Sequence, residues 1–321
     1  MTAVGDPRDK FVDLIDLQKS RVLLAPHITF VCGGPVDIRA VNNHSIRNMF
    51  MNLSARMPDK SEGFTLAENF KDWQTGYSNL SEFENDIASL SSIIVIILES
   101  PGALAELGLF FANPKLREKM VVVVHSEHHK SESFIKFGLL SPLEISKTES
   151  VLVYEIDSLN VENIEDREIE EILKDIWAIA DGIDKTNTFD SHDHGHNIFL
   201  ILQIVDLFTI LTSAEIGDYL TRLGINFSRK QIQSALYILQ KFKLLASEKR
   251  SSQTFYYVSP KISDRVDLHF EKDVSDPDHP RRYDSRAIKL EVLDFYEKQM
   301  VNNQSFNRRL NLWKRRMGVE T

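Results

Sequence analysis

Three runs of Val and Ile residues restrict this chain to a small group of folds. They are "ITFVC" (Ile28–Cys32), "SIIVIIL" (92–98) and "MVVVVH" (Met120–His125), and each is apolar at successive rather than alternate positions. Strands of this kind are buried on both faces, as in a parallel sheet with helices above and below it. Helical patterns separate the runs. We therefore expect an α/β domain with a Rossmann-like, doubly wound parallel sheet.

The remaining elements of this domain follow from the spacing of apolar residues. A short leading helix is expected within Pro7–Ser20, and further strands within 63–66 and Val151–Ile156. Further helices are expected over Asn43–Met57, 81–90, 103–114 and Asp166–Ala180. A chain of 321 residues has room for about two domains.

Composition and charge exclude several classes of protein. The net charge of −9 argues against a protein that coats nucleic acid over its whole surface, although it permits a basic patch. The single cysteine, Cys32, excludes a disulfide framework and is typical of a reducing cytoplasm. The start "MTAVGDPRDK" has acidic residues and no apolar h-region, so we expect no secretory signal, and no run reaches the ~20 apolar residues of a membrane span. We expect a cytoplasmic protein without membrane contact.

The second half of the chain has a different character. A polar stretch, Asp181–Asn197, reads as a linker. Three helical patterns follow it, the third with a capping box formed by Ser228 and Gln231. Two short strands, Leu244–Glu248 and Thr254–Val258, then enclose a charged tip. This order is typical of a winged helix-turn-helix. The predicted domains are residues 1–187, a winged helix at 188–265 and a basic C-terminal tail at 266–321.

The tail carries its positive charge between Arg281 and Arg316, with ten basic residues against four acidic ones. Leu310, Leu312 and Trp313 alternate with the cations. Cations interleaved with an aromatic residue suit single-stranded or structured nucleic acid. An amphipathic helix that docks on a partner protein explains the pattern equally well.

Two loops of the first domain have the composition of a ligand site. In an open parallel sheet, ligands bind beyond the carboxyl ends of the strands. Gly33 and Gly34, after the first strand, allow a close approach of backbone to ligand. The helix that begins near Ser45 offers N–H groups to an anion, and Ser45 and Arg47 add a hydroxyl and a cation where a phosphate could sit. We therefore include all four residues in the predicted substrate site.

The second loop, "ESPGALAELG" (Glu99–Gly108), follows the central strand. Glu106 should lie about one turn inside the next helix and point back toward the strand ends. Cleavage of a ribose–base bond develops positive charge on the sugar, which a carboxylate can stabilise. Glu106 is thus the candidate catalytic residue. The alternative is that Glu99 and Glu106 only favour a helix N-terminus electrostatically. The supporting candidates in this region are Glu68, Asp86, Glu99, Ser100 and Gly102.

Four segments in order, "FVCGG", "HSIR", "SIIVIILESPGALAELGLF" and "SFIKFGLL", resemble the nucleoside deoxyribosyltransferase-like effector of type II retron systems. The resemblance spans roughly residues 28–140. It implies a Rossmann-like domain ahead of a winged-helix DNA-binding domain, with Glu106 at the position of the catalytic glutamate. It also implies an N-glycosidase toxin acting on a nucleotide or NAD-like substrate. The toxin would be held inactive by a reverse transcriptase bound to multicopy single-stranded DNA (msDNA), and released on phage infection.

One departure from the resemblance matters. Deoxyribosyltransferases carry an Asp-rich loop before the catalytic glutamate, whereas this chain has "ESPGALAE". We therefore expect hydrolysis to free base rather than exchange of bases. The alternative function is a nucleotide-sensing winged-helix transcription regulator without catalysis. The sequence leaves open whether the chain forms a homo-oligomer.

In a winged helix the third helix enters the major groove and the wing contacts phosphates. The nucleic-acid or partner contacts expected on this basis, and in the tail, are Arg229, Lys230, Gln233, Ser234, Tyr237, Lys249, Arg250, Arg308, Arg309, Lys314, Arg315 and Arg316. A winged helix used for protein contact is the alternative.

The histidines form two clusters that suggest a metal site. His192, His194 and His196 alternate in the linker, and His125, His128 and His129 follow a strand. Neither cluster matches the HExxH motif or a Cys/His zinc spacing. We expect no metal and no cofactor, although His125 could line the mouth of the active site.

Overall fold

The computed structural model describes residues 5–37, 44–57, 63–156, 160–259, 264–301 and 303–317. It divides the chain into two compact units. One unit comprises residues 24–185 and is called the sheet unit. The other, called the helical unit, combines residues 1–23 with residues 186–321.

The α-helices and β-strands are numbered in chain order along the described residues. The helices are α1 (Pro7–Asp13), α2 (Ile46–Ser54), α3 (Leu80–Leu90), α4 (Pro101–Phe111), α5 (Pro114–Arg117), α6 (Ser126–Lys130), α7 (Ser141–Ser146), α8 (Asp166–Asp181), α9 (His194–Leu207), α10 (Ser213–Arg222), α11 (Arg229–Lys241), α12 (Ser285–Gln299) and α13 (Gln304–Met317). The strands are β1 (Ile15–Leu23), β2 (Thr29–Cys32), β3 (Phe64–Thr65), β4 (Ile93–Ile97), β5 (Met120–His125), β6 (Val151–Tyr154), β7 (Thr186–Thr188), β8 (Leu245–Arg250), β9 (Gln253–Val258) and β10 (Val266–Phe270).

The sheet unit contains a five-stranded sheet in the order β3-β2-β4-β5-β6, and all of its pairings are parallel. Val31 pairs with Val95, which in turn pairs with Val121. Every residue of β2 and β4 is buried. The prediction of an α/β domain with a parallel sheet is therefore confirmed.

One face of this sheet packs against α2 and α8. Phe50 of α2 and Ile172 of α8 are fully buried in one core cluster with the strand residues Val31 and Val95. Ser45 caps α2 by accepting a hydrogen bond from the N–H of Asn48. The Ser45 cap fixes where α2 begins, and the buried apolar face fixes which side of α2 packs against the sheet.

The order of the strands places a crevice between β2 and β4. The chain goes from β2 to β3 on one side and then crosses to β4 on the other, so the connections diverge at this point. Such a switch point is where open α/β sheets bind ligands. The loops that leave these two strands carry Gly33–Gly34 and Glu99–Ser100.

The helical unit contains α9, α10 and α11, followed by the antiparallel hairpin β8–β9. A bridge between Leu211 and Tyr256 attaches the hairpin to the segment between α9 and α10. This is the order of three helices and a hairpin that the sequence predicts. A second sheet, in the order β10-β1-β7, is antiparallel.

The N-terminal segment differs from the prediction. The expected helix over Pro7–Ser20 ends at Asp13, and Ile15–Leu23 forms strand β1. β1 pairs with β10, with Ile15 opposite Phe270, so its partner is too distant in sequence for local periodicity to reveal it. The two units divide between Lys185 and Thr186, close to the predicted boundary at residue 187, but residues 1–23, predicted in the first domain, belong to the helical unit.

Two further segments are more ordered than the prediction implies. The expected linker Asp181–Asn197 contains strand β7 and the first turn of α9. The expected basic tail contains strand β10 and helices α12 and α13. Leu312 of α13 is buried against Ile210 and Phe255. Within the described ranges, no helix combines the length and apolar character that crossing a bilayer requires.

Candidate active site

Glu106 lies on the second turn of α4 and is half-buried. Its carboxylate lies near the buried thiol of Cys32, the last residue of β2. The side chain therefore leans back toward the strand ends, as the direction of side chains on a helix requires. Ser100 caps α4 by accepting from the N–H of Ala103, and Pro101 occupies the first turn. These features fix the first turn of α4, and with it the position of Glu106.

The surroundings of Glu106 favour its protonated form. Burial, followed by the negative charge of Glu84, raises the pKa of Glu106 to about 7. Arg47 and the Cys32 thiol oppose this shift. A carboxyl group with a pKa near neutrality is typical of active sites, because it can exist in either form at working pH.

Three carboxylates and one guanidinium share this site. Arg47 of α2 is buried and donates to the carbonyls of Gly34 (2.6 Å) and Val31 (3.2 Å). It also forms an ion pair with Glu68, whose side chain remains half-exposed. Glu84, on α3, is 8% exposed, and burial followed by the charge of Glu68 raises its pKa to about 7. Among the described residues, the site therefore combines several carboxyl groups with the one buried guanidinium of Arg47.

Glu99 has a different role from the others. It accepts backbone N–H bonds from Gly34 (2.9 Å), Ile46 (2.6 Å) and Arg47 (2.9 Å). The anion at the N-terminus of α2 is thus a carboxylate of the protein itself. Burial raises the pKa of Glu99 although these three bonds oppose the shift. The sequence predicts a phosphate at this N-terminus, and a phosphate there would have to displace Glu99.

The remaining predicted site residues lie close together, but the contacts described for them are with other protein groups. Ser45 donates its hydroxyl to the carbonyl of Pro35 at 2.7 Å. Ser100 donates to the carbonyl of Gly33 at 3.3 Å, which joins the two loops. Gly102 is exposed on the first turn of α4. Gly33 and Gly34 are packed against protein side chains, so their close approach is to Arg47, Ser45 and Glu99.

Replacement of Gly34 tests this packing. A Cβ atom at this position would lie 2.6 Å from Cβ of Ser45 and 3.0 Å from Cδ of Glu99. We expect Gly34→Ala to lower the free energy of unfolding by about 1–3 kcal/mol in denaturant titrations, because both neighbours are held in place. Gly108→Ala is the control, since no heavy atom lies within 4 Å of its added Cβ. Equal stability of the two variants would contradict this description.

Glu84 is the site residue that the sequence reasoning missed. Asp86 is the sequence-based candidate on this helix, but its carboxylate accepts a hydrogen bond of 2.6 Å from the hydroxyl of Tyr77. Glu84 lies one turn before Ile87 and Ala88, which are fully buried. A charged residue on the apolar face of a helix is the signal that could have identified it.

One histidine of each cluster accepts a hydrogen bond from a nearby backbone N–H group. His125 caps α6 by accepting from the N–H of Glu127. Nδ1 of His196 accepts from the N–H of Asp190 at 3.0 Å. In the part of the chain that the structure describes, no group of three His, Cys, Asp or Glu side chains is placed to hold a metal ion.

The predicted nucleic-acid contacts divide into exposed and buried residues. Arg229, Lys230 and Gln233 are exposed on α11, and Lys249 and Arg250 are exposed at the hairpin tip. Ser234 is buried, although the sequence predicts it on the exposed face, because it lies one turn before the core residue Ile238. The ring of Tyr237 is half-buried beneath Nζ of Lys241.

Several cations of the tail have partners within the helical unit. Arg309 is 3% exposed and donates to both carboxylate oxygens of Glu215. Arg315 pairs with Glu248, and Arg316 lies over the ring of Tyr257 at 4.1 Å. Lys314 lies 4.0 Å from Glu297, and Arg308 donates to Gln304 within α13. Arg309, buried and paired, is therefore not available to an external phosphate.

Comparison with known proteins assigns a family to this chain. A protein of Escherichia coli named "Retron Ec86 putative ribosyltransferase/DNA-binding protein" is 31% identical over 125 residues, which cover 38% of this chain and 39% of that protein. The corresponding retron Ec73 protein of Escherichia coli is 32% identical over 92 residues, covering 27% and 29%. The chain thus matches well under half the length of either relative. The sequence model of the STM3845 retron effector protein matches residues 43–247, more than half of the chain, so this protein belongs to that retron effector family.

Proposed function

We propose that this retron effector is an N-glycosidase that hydrolyses the base–ribose bond of a nucleotide or NAD-like substrate. The observation that carries the proposal is the position of Glu106, half-buried at the switch point of the sheet and near the thiol of Cys32. The word ribosyltransferase in the names of both retron relatives supports the same class of chemistry.

The chemistry of Glu106 follows from its charge. When the bond from C1′ to the base nitrogen breaks, positive charge develops on C1′ and the ring oxygen of the ribose. An ionised carboxylate beside C1′ stabilises this charge, either through space or by forming a bond to C1′. A pKa of about 7 leaves a substantial fraction of Glu106 ionised at neutral pH. Water then completes the hydrolysis at C1′.

The charges around Glu106 constrain how a substrate binds. Glu68, Glu84 and Glu106 surround one guanidinium that is already paired with Glu68. A phosphate group placed among these carboxylates would be repelled. We infer that the ribose and base, rather than a phosphate, lie over the ends of β2 and β4. The half-exposed Glu68 is suitably placed to accept hydrogen bonds from ribose hydroxyls.

For the helical unit we propose contact with nucleic acid through a winged-helix arrangement of α9–α11 and β8–β9. The exposed Arg229, Lys230 and Gln233 on α11, with Lys249 and Arg250 at the tip, supply the cations and a polar contact. The words DNA-binding in the names of the relatives support this role. In the proposed regulation, the retron reverse transcriptase and its msDNA hold the toxin inactive until phage infection.

The test of the glycosidase is direct detection of free base. The purified full-length chain is incubated with NAD, nucleoside monophosphates and deoxynucleoside triphosphates, and the products are separated by chromatography. We expect one class of substrate to release its base. Binding of a nucleotide by the folded protein, without base release from any substrate, would instead support the nucleotide-sensing regulator.

The test of the nucleic-acid surface is the salt dependence of binding. Arg229→Ala combined with Lys230→Ala should weaken binding to a DNA hairpin and reduce the slope of log K against log salt by about two, one for each cation. Arg167→Ala, which removes an exposed arginine of α8, is the control. An unchanged slope would favour a protein contact for this surface.

A further inference from the structure

The carboxyl group of Glu84 has no assigned role. Glu84 lies on the buried face of α3, between the core residues Phe83 and Ile87 in sequence. It is 8% exposed, its oxygens keep some contact with solvent, and within the described ranges no protein group forms a hydrogen bond or ion pair with them. Buried polar groups in proteins almost always have a hydrogen-bond partner, so an unpartnered one requires an explanation. A ligand that supplies the missing partner is one such explanation.

The groups that face Glu84 come from four other elements. They are Glu106 of α4, Glu68 of the 3-10 helix Ala67–Asn69, Arg47 of α2 and Cys32 of β2. On its own helix, Glu82 is exposed and Asp86 is bonded to Tyr77. Because α3 packs against α4, Glu84 and Glu106 approach each other from adjacent helices.

The balance of charge in this cluster favours one retained proton. Arg47 neutralises Glu68, with which it pairs, so among the described residues no further cation pairs with the largely buried carboxyl groups of Glu84 and Glu106. Two neighbouring carboxyl groups cannot both ionise without a large electrostatic cost, and such pairs titrate as a unit. The raised pKa values of both groups agree with this description.

We propose that Glu84 is a second catalytic residue, which shares one proton with Glu106 and delivers it to the base as the base leaves. The proposal rests on the glycosidase function proposed above. It assigns opposite tasks to the two carboxyl groups, with Glu106 ionised at C1′ and Glu84 protonated at the base. In several enzymes, the surroundings of two neighbouring carboxyl groups keep one protonated as the acid and the other ionised.

The C1′–N bond breaks, both of its electrons go to the base, and the proton of Glu84 moves to a ring nitrogen of the base. Water adds to C1′, and the proton that it loses returns to the Glu84 carboxylate. The products are the free base and the ribosyl compound with a hydroxyl at C1′, and both carboxyl groups regain their starting state.

The dependence on the leaving group tests this assignment. An adenine nucleotide needs protonation of its base, whereas a pyridinium nucleotide such as NAD releases a neutral base without it. Glu84→Gln should lower release of adenine at least about a hundredfold, while release of nicotinamide changes by a small factor. The exposed Glu82→Gln is the matched control on the same helix. Equal losses on both substrates, or no loss on either, would overturn the assignment.

A second readout needs no substrate. Difference infrared spectroscopy of the intact protein follows protonated carboxyl groups during a pH titration. We expect a carboxyl signal that persists to near-neutral pH, is lost in Glu84→Gln, and titrates at lower pH in Glu106→Gln. If Glu84 is ionised at pH 5, the inference fails even where the wild type releases base. If this signal is found but no base is released from any substrate, the glycosidase function fails instead, and the catalytic role with it.

Discussion

Glu106→Gln is expected to lower base release by about a thousandfold, with the fold intact. Glutamine has the shape of glutamate but cannot carry the negative charge that a developing oxocarbenium ion requires. The amide has the size of the carboxyl group, so the packing around position 106 is kept. The loss should therefore appear in the chemical step and in growth inhibition, while the level of folded protein is unchanged.

The Glu106→Gln variant is also expected to be more stable than the wild type at high pH. The pKa of Glu106 is about 7 in the folded chain against 4.5 for an ordinary glutamate. The folded state therefore binds the proton more tightly between these values, so the stability of the wild type falls as pH rises from about 4.5 to 7. Glu106→Gln removes this loss. Its free energy of unfolding at pH 8 should exceed that of the wild type by up to about 3 kcal/mol, with no gain at pH 4.

The control is Glu118→Gln, which changes an exposed glutamate of the same unit. Base release is measured by chromatography, and stability by denaturant unfolding at pH 4 and pH 8. A Glu106→Gln protein that remains fully active would remove the catalytic assignment. If Glu106→Gln is both inactive and unfolded, its inactivity does not show a catalytic role. Glu106→Asp then distinguishes loss of catalysis from loss of folding, because it keeps the charge and shortens the side chain.

The sequence alone predicts the strands and helices that depend on local patterns of residues. The runs at β2, β4 and β5 are short and rich in Val and Ile, which is typical of strands buried on both faces. The Pro-Gly start of α4 then sets the phase of the helix, and this phase aims Glu106 at the strand ends. The position of the candidate catalytic group therefore follows from about fifteen consecutive residues.

The features that the sequence could not supply depend on distant neighbours. Local pattern groups Glu99 with the substrate-binding residues, but its partners are the N–H groups of Gly34, Ile46 and Arg47 on another loop and helix. Strand β1 depends on β10, more than 240 residues later, and no local pattern encodes such a pairing. In both cases local sequence allows more than one structure, and contacts with residues distant in sequence determine which one forms.

Glu215, in the helical unit, forms ion pairs with two buried arginines. Its carboxylate accepts hydrogen bonds from Arg8 (2.8 Å) and from Arg309 (2.8 and 2.9 Å), and both guanidinium groups are buried. Thr212 donates to the same carboxylate as part of the capping box of α10. The two arginines hold the pKa of Glu215 below its usual value although burial acts in the opposite direction. The carboxylate thus joins α1, α10 and α13.

Glu215→Ala should lower the free energy of unfolding of the helical unit by about 3–5 kcal/mol. The main reason is that Arg309 stays buried without the carboxylate that it pairs with, while Arg8 keeps its ion pair with Asp6. Loss of the capping box adds roughly 1 kcal/mol. For a unit of this size the combined change corresponds to a fall of about 10–15 °C in Tm. Calorimetry of the full-length chain measures it.

The matched control is Glu297→Ala, a change on α12 that removes the partner of Lys314 on α13. Glu297 is 57% exposed and its pair is 4.0 Å long, so its loss should cost less than about 1 kcal/mol. The comparison also decides the role of Arg309, because Arg309→Ala should reproduce the destabilisation of Glu215→Ala. If Arg309→Ala instead weakens nucleic-acid binding with Tm unchanged, the buried ion pair is not what holds α13, and the sequence-based assignment of Arg309 to a partner is restored.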